Sequence, residues 1–378
     1  DNKDASRERN CNQGENMNLN DLLYKINEIA NKDLDQRGKM KTAVNLIYDD
    51  LINNNIDLQM QFLNPEKDIS NHIACSIDGS KYEIETDDLT LILARAVRVK
   101  GEKGKGKNIP SEIEEDFRII ENYYDKNIIS NKSVLFMLSL ETKMLEKCEE
   151  CDIILIDGPI IDPPVYYDED VEIEDITTLD KYTIYRASVL KKLKDKNKII
   201  MGIAKNFSHR LLVKKLIDYY KILSSARESY LVGNIFYKYR LEKSEYKKPI
   251  FLGWINWDSL IQGEVLDDLK GISKAYKEYK DILKDLSIYS CYYQYDAASS
   301  IGRIDFLSKE PPSIELLNYI NAWAIPEVKE ITLLNKLADD LSEINYNDAK
   351  KYALIFDLLK ENYLSESEKL IELVMRRS

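Results

Sequence analysis

Apolar positions along the chain change spacing several times, and each change predicts an element. Leu22, Ile26 and Ile29, then Met40, Val44, Ile47 and Leu51, recur at steps of three and four, which predicts two amphipathic helices. His72 to Ile77 is a short apolar run that stops at Asp78-Gly79-Ser80, Lys81 to Glu85 alternates, and Leu89 to Val99 is rich in Leu, Ile, Val and Ala. These predict three consecutive strands. The basic segment Gly101 to Lys107 (GEKGKGK) reads as a solvated hairpin tip or linker in preference to a phosphate-contacting loop. Ser111 and Glu114 have capping-box spacing ahead of Ile113, Phe117, Ile120 and Tyr124, which predicts a helix. A second helix over 132–149 is apolar nearly all round in its first half, the mark of a buried helix.

Ile153 to Ile156 predicts a strand that again ends in Asp-Gly, at Asp157-Gly158, and an acidic stretch from Asp168 to Asp175 follows. A helix near 179–194, a strand at 198–204 and a helix from a Ser208 cap to Leu223 come next. Late strands are expected at Pro249 to Trp257, Ile288 to Tyr295 and Ile301 to Leu307, the last two as a hairpin, with helices from Ser313 to the end. This order of strands and helices makes the chain α/β. It has no internal repeat and no sharp composition boundary. The expected division is a polar leader at 1–17, disordered or carried over from cloning ahead of Met17, a main domain at 18–341 and a helical extension at 342–378.

Composition narrows the function classes. The 378 residues carry 54 basic and 66 acidic side chains, a net charge of −12, which argues against a surface coated in positive charge for nucleic acid. An enzyme whose carboxylate site coexists with local basic loops remains compatible. No window approaches the ~20 apolar residues of a spanning helix, so no membrane association is expected. The first 16 residues lack the apolar centre of a secretory signal. Five scattered cysteines do not make a disulfide scaffold, which fits a reducing compartment and a cytoplasmic location.

Three acids stand out by placement. Asp78 and Asp157 each close an expected strand, and Glu141 lies on the buried helix between them, in a stripe with Val134, Leu138, Leu145 and Cys148. An unpaired buried carboxylate costs several kcal/mol, so Glu141 needs a partner. Three oxygen donors on rigid elements suit Mg²⁺ or Mn²⁺, and two such ions are the usual machinery of in-line phosphodiester cleavage. Taken singly, each Asp-Gly also fits a hairpin turn and Glu141 a lysine partner. The joint order, strand-end Asp, helix Glu, strand-end Asp within β-β-β-α-β-α-β, is the layout of ribonuclease H-like nucleases. Lys205, at a strand end, fits either charge neutralisation at a phosphate or an ion pair with a site acid. Arg303 fits either a DNA contact or a brace for the sheet. Cys148-x-x-Cys151 has no second pair or His cluster and reads as structural. His209 reads as an exposed helix-start histidine, and the lysines at 191–198 and at Lys214 and Lys215 as solvated faces.

The segment His72-Ile-Ala-Cys-Ser-Ile-Asp-Gly-Ser80 resembles the first motif of the NurA nucleases, archaeal and bacterial DNA-end-processing enzymes with a ribonuclease H-like core. Cys151-Asp-Ile-Ile-Leu-Ile-Asp-Gly158 resembles their second Asp-Gly motif, Leu140-Glu141 their helical Glu, and Gly202-Ile-Ala-Lys205 the strand-end Lys segment. Tyr293-Gln-Tyr-Asp296 to Arg303-Ile-Asp-Phe306 is similar to their Arg-containing hairpin. The resemblance runs in order from about Asn18 to Leu341. It implies a ribonuclease H-like mixed sheet flanked by helices, with added N- and C-terminal helices. It implies two Mn²⁺ or Mg²⁺ ions held by Asp78, Glu141 and Asp157, with Lys205 as a further catalytic residue and Lys205 and Arg303 on DNA. The implied activity is 5′-to-3′ exonuclease plus single-strand endonuclease in double-strand-break repair, on duplex ends and single strands. The implied partners are a second copy of the chain and HerA, a hexameric ATP-driven translocase. One departure stands out: Trp323-Ala-Ile-Pro-Glu-Val-Lys-Glu-Ile-Thr-Leu333 lacks the Tyr and His that the family carries after the Arg strand. A weakly active or inactive adaptor that docks a translocase is therefore the rival expectation, and a related enzyme acting on RNA a third.

Overall fold

The computed structural model describes residues 19–361 apart from 66–69, 87–88, 105–106, 123–125, 163–180, 206, 208, 222, 224–225, 261, 263–265 and 326–330. The expected leader, the acidic stretch at 168–175 and the cap at Ser208 lie outside the described residues. In chain order the elements are α1 (Leu19–Ile52), β1 (Gln59–Phe62), β2 (His72–Glu85), β3 (Thr90–Gly104), β4 (Lys107–Asn122), α2 (Lys126–Glu146), β5 (Ile153–Asp157) and α3 (Tyr182–Asp195). They continue with β6 (Ile199–Ala204), α4 (Leu211–Leu216), α5 (Glu228–Lys243), β7 (Ile250–Asn256), α6 (Trp257–Leu260), α7 (Lys270–Leu283), β8 (Ser287–Gln294) and β9 (Ile301–Ser308). The last three are α8 (Leu317–Trp323), α9 (Leu333–Ser342) and α10 (Tyr346–Glu361).

The described strands form one nine-stranded mixed sheet in the order β1-β7-β8-β9-β6-β5-β2-β3-β4. β2, β3 and β4 make an antiparallel meander, β5 runs parallel to β2, and β6 parallel to β5. That is the ribonuclease H-like core, and β9, β8, β7 and β1 extend it antiparallel beyond β6. Side-chain alternation sorts the strands between two cores. Cys75, Ile77, Ile154 and Ile156 join the larger core with residues of α2, α3, α5 and α7. Ala74, Ile153, Leu155, Met201 and Ile203 join the smaller one with residues of α8 and α9. No described helix is long and apolar enough to cross a membrane.

Several local expectations are corrected. The two N-terminal helices are one, α1, of 34 residues. The polar stretch between the apolar runs carries Lys32–Glu28, Arg37–Asp33 and Lys39–Asp35 ion pairs one turn apart, which continue a helix across a polar gap. Asp78-Gly79-Ser80 is not a turn: β2 runs unbroken through it, with Asp78 opposite Val97. The meander's third strand is β4, built from the segment whose capping-box spacing predicted a helix. Positions 113 and 117 share a face of a strand as well as of a helix, and cross-strand charge decides between them. Glu112 and Glu114 on β4 pair with Arg98, and Glu112 also with Lys100, both on β3. The expected helix to Leu223 shrinks to the six residues of α4, and the C-terminal helical run is broken into α8, α9 and α10. The late strands and their hairpin stand as expected.

Behind β8 and β9 lies a buried polar network. The Glu228 carboxylate accepts hydrogen bonds from the amides of Leu212 (2.5 Å) and Val213 (3.1 Å) and from the Tyr292 hydroxyl. Burial outweighs those bonds and pushes its pKa up to about 7. A carboxyl whose folded pKa lies above its unfolded value binds more protons when folded, so its contribution to stability declines as pH rises between about 4.5 and 7. Urea unfolding at pH 5 and pH 7.5 is expected to show that decline, and Glu228→Gln to reduce it by about 1–3 kcal/mol. An unchanged pH difference in the variant would contradict the assignment.

Candidate active site

The register between β2 and β5 builds the centre of the site. Their last parallel pair is Ile77 with Ile156, so Asp78 and Asp157 come next, side by side, on the face that α9 covers. Gly158 follows at φ +108°, a conformation that favours glycine, and lets the chain leave the sheet directly after Asp157. Lys205 stands one residue past β6, with Nζ 2.7 Å from Asp157 Oδ2 and 3.9 Å from Asp339 Oδ1. Asp339 comes from α9. One carboxylate oxygen each of Asp78, Asp157 and Asp339 lie within 4.8 Å of one another.

Glu141 approaches β2 beside Asp78 from the opposite layer. It projects from α2, which belongs to the larger core, and arrives at the one position of β2 that lacks a side chain there. A Cβ at Gly79 would stand 2.7 Å from Glu141 Oε1 and 2.8 Å from its Cγ. Gly79 therefore leaves the room against β2 that the Glu141 carboxylate fills, next along the strand from Asp78. Glu141 is 6% exposed and makes no hydrogen bond or ion pair among the described residues. Burial holds its pKa well above the usual carboxylate range, and the Asp78 charge adds to the effect, against the opposing influence of Arg186. Arg186 on α3 is itself buried, paired with Asp162 at 3.4 Å and donating to Thr142 Oγ1 at 3.2 Å.

Helix α9 is tied to this centre. Ser342 Oγ donates to Asp78 Oδ2 at 2.9 Å, and the Ser80 hydroxyl donates to the Ser342 carbonyl. Asp78 has its pKa pushed up to about 6 by burial, with the Ser342 bond opposing and the Asp339 charge reinforcing that shift. Lys205 lies within ion-pair distance of two of these acids, Asp157 and Asp339. All the acidic donors are oxygens, the set that hard divalent cations prefer.

Asp78, Asp157 and Lys205 are brought together, whereas Glu141 packs against Gly79 on the α2 face of β2, near enough for their charges to act on it; Asp78 sits within a strand instead of closing one. Arg303 is not among them. It is 1% exposed, with Nε and Nη2 at 2.9 and 3.0 Å from the two Asp305 oxygens, so in this structure it braces β9 rather than facing the site. His209 is half-buried near Arg303 and Asp305, and His72 accepts from Trp323 Nε1 at 3.1 Å. Cys148 and Cys151 are buried free thiols. Asp339 and Ser342 were missed by sequence reasoning. Their signal is a polar stripe, Asn335, Asp339 and Ser342, at steps of four and three on the helix.

A family model described as the NurA domain matches residues 72–343, from the first residue of β2 to just past α9. The chain belongs to the NurA family. Membership makes it a metal-dependent nuclease. The NurA nuclease from Sulfolobus solfataricus is 15% identical, with a TM-score of 0.59 over 92% of this chain and 100% of that one. A NurA structure with manganese is 11% identical, with a TM-score of 0.56 over 90% and 99% of the two chains. A NurA bound to dAMP and manganese is 12% identical, with a TM-score of 0.52 over 94% and 100%. At such identities these likenesses establish the fold. No curated protein matches the chain significantly.

Proposed function

We propose that this NurA-family chain hydrolyses DNA phosphodiester bonds at the cluster of Asp78, Glu141 and Asp157, using two Mn²⁺ or Mg²⁺ ions. The observation that carries the reading is the close approach of two adjacent strand carboxylates, Asp78 and Asp157, with a buried third acid, Glu141, packed beside Asp78 from the opposite layer. A relative bound to dAMP and manganese supports both the metal class and a deoxynucleotide product. Asp78 and Asp157 would hold the ions, with Glu141 as the inner ligand. Bound there, the ions lower the pKa of an attacking water and stabilise the leaving oxygen. Lys205 pairs with Asp157 and would balance charge on a non-bridging phosphate oxygen. Gly79 leaves room for Glu141 beside Asp78, and Ser342 fixes the Asp78 carboxylate.

The finer reading is 5′-to-3′ exonuclease and single-strand endonuclease activity in end resection, by a homodimer beside a HerA-like hexameric translocase. The acidic chain supports that pairing, since a motor that grips DNA can feed an end to a site whose own surface attracts it weakly. Digestion of DNA labelled at either end, with Mn²⁺ and with EDTA, tests the proposal. Metal-dependent loss starting from the 5′ end is expected. No degradation with either metal would favour the adaptor, and preference for RNA the third reading.

A further inference from the structure

We propose that Asp339 is a fourth metal-binding carboxylate, supplied by α9 on the solvent side of the site, and this rests on the nuclease reading above. Opposite oxygen donors of an octahedral ion lie about 4.2 Å apart. The oxygens of Asp78, Asp157 and Asp339 span at most 4.8 Å, so small side-chain rotations close them round one cation. A second observation lies beside it: the Glu141 carboxylate, buried and without a hydrogen bond or ion pair among the described residues, packs against Gly79, the residue after Asp78, and feels the charges of Asp78 and Asp157. Lys205 already shows that Asp157 and Asp339 converge on positive charge, since its ammonium lies within ion-pair distance of both.

The placement of Asp339 is fixed by the fold. Ser342, one turn further along α9, is bonded to Asp78 and receives the Ser80 hydroxyl on its carbonyl, so the helix is fastened to β2 at the level of the site. The neighbouring Asp340 turns away and pairs with Lys336 one turn back. Asp339 has a side chain 48% exposed, whereas Glu141 is enclosed. The ligands are therefore graded from an inner acid on α2 to an outer acid on α9, and Asp339 serves the outer ion, on the side from which DNA arrives.

Mn²⁺ binding to the full chain, followed by the electron paramagnetic resonance of the free ion, tests this without relying on activity. Asp339→Asn is expected to weaken Mn²⁺ binding about tenfold. Asp340→Asn is expected to bind as the unaltered protein does. The Lys205→Met background separates a ligand from a mere partner of the lysine: a tenfold loss that persists there supports the ligand, and a loss that vanishes there overturns it. An Asp339→Asn isotherm equal to the unaltered protein's, with equal melting in EDTA, also overturns it. Absence of any Mn²⁺ binding by the unaltered protein would instead remove the nuclease-site reading itself.

Discussion

Asp78→Asn is expected to lower metal-dependent DNA cleavage by roughly a thousandfold or more, because several kcal/mol of charge stabilisation pass through the ions this carboxylate holds. The same change should leave the fold intact and the metal-free protein equally or more stable. Burial and the Asp339 charge raise the Asp78 pKa to about 6, so at neutral pH the ionised carboxylate is less comfortable folded than unfolded. That penalty is absent below the unfolded pKa near 3.8 and complete above about 6, and Asn removes it while still accepting the Ser342 hydrogen bond. Digestion of labelled DNA with Mn²⁺ and thermal melting in EDTA, run on the same preparation, check both halves. Cleavage within tenfold of the unaltered protein would remove Asp78 from the chemistry.

Arg303→Met is expected to cost about 3–5 kcal/mol of folding stability, because it leaves the Asp305 carboxylate charged in a fully buried place. Asp305 has Arg303 as its bidentate partner and accepts a further bond from Ser290 Oγ at 2.6 Å, and Ser290 in turn accepts from Trp257 Nε1 at 2.7 Å. Removing the guanidinium therefore strips the charge balance from a network that joins β8, β9 and α6. Urea unfolding measures the loss, and adding Asp305→Asn should recover part of it by deleting the stranded charge. A variant of ordinary stability but weakened DNA affinity would mean that Arg303 meets the substrate after all.

Much of the site was legible because its signals are local. Asp78 and Asp157 each follow an apolar run, and Glu141 interrupts an apolar helical stripe, so their placement needs no knowledge of distant contacts. The errors have a common physical origin in long-range pairing. Asp78-Gly79 has turn chemistry, yet fourteen residues of β2 pair with β3 straight through it. The segment from Ser111 carries a capping-box spacing, but Glu112 and Glu114 are cross-strand partners of Arg98, a relation that only the folded meander reveals. Arg303 gave no sequence sign of burial because Asp305, its partner, is two residues away on the same strand face, a spacing equally common on exposed strands. Asp339 escaped notice because it lies 182 positions beyond Asp157 and joins it only once α9 lies across β2 and β5.

The absent side chain at Gly79 has a wider consequence. A β-sheet normally insulates the helices above it from those below, but here one acid packs directly against the sheet backbone beside Asp78 while the other acids gather on the far side. Ion affinity is thereby made to depend on the seating of α2 and α9 at once. Loosening either helix, even at a residue remote from every acid, becomes a way to tune or silence the enzyme, and gives a partner that leans on either surface a mechanical handle on cleavage.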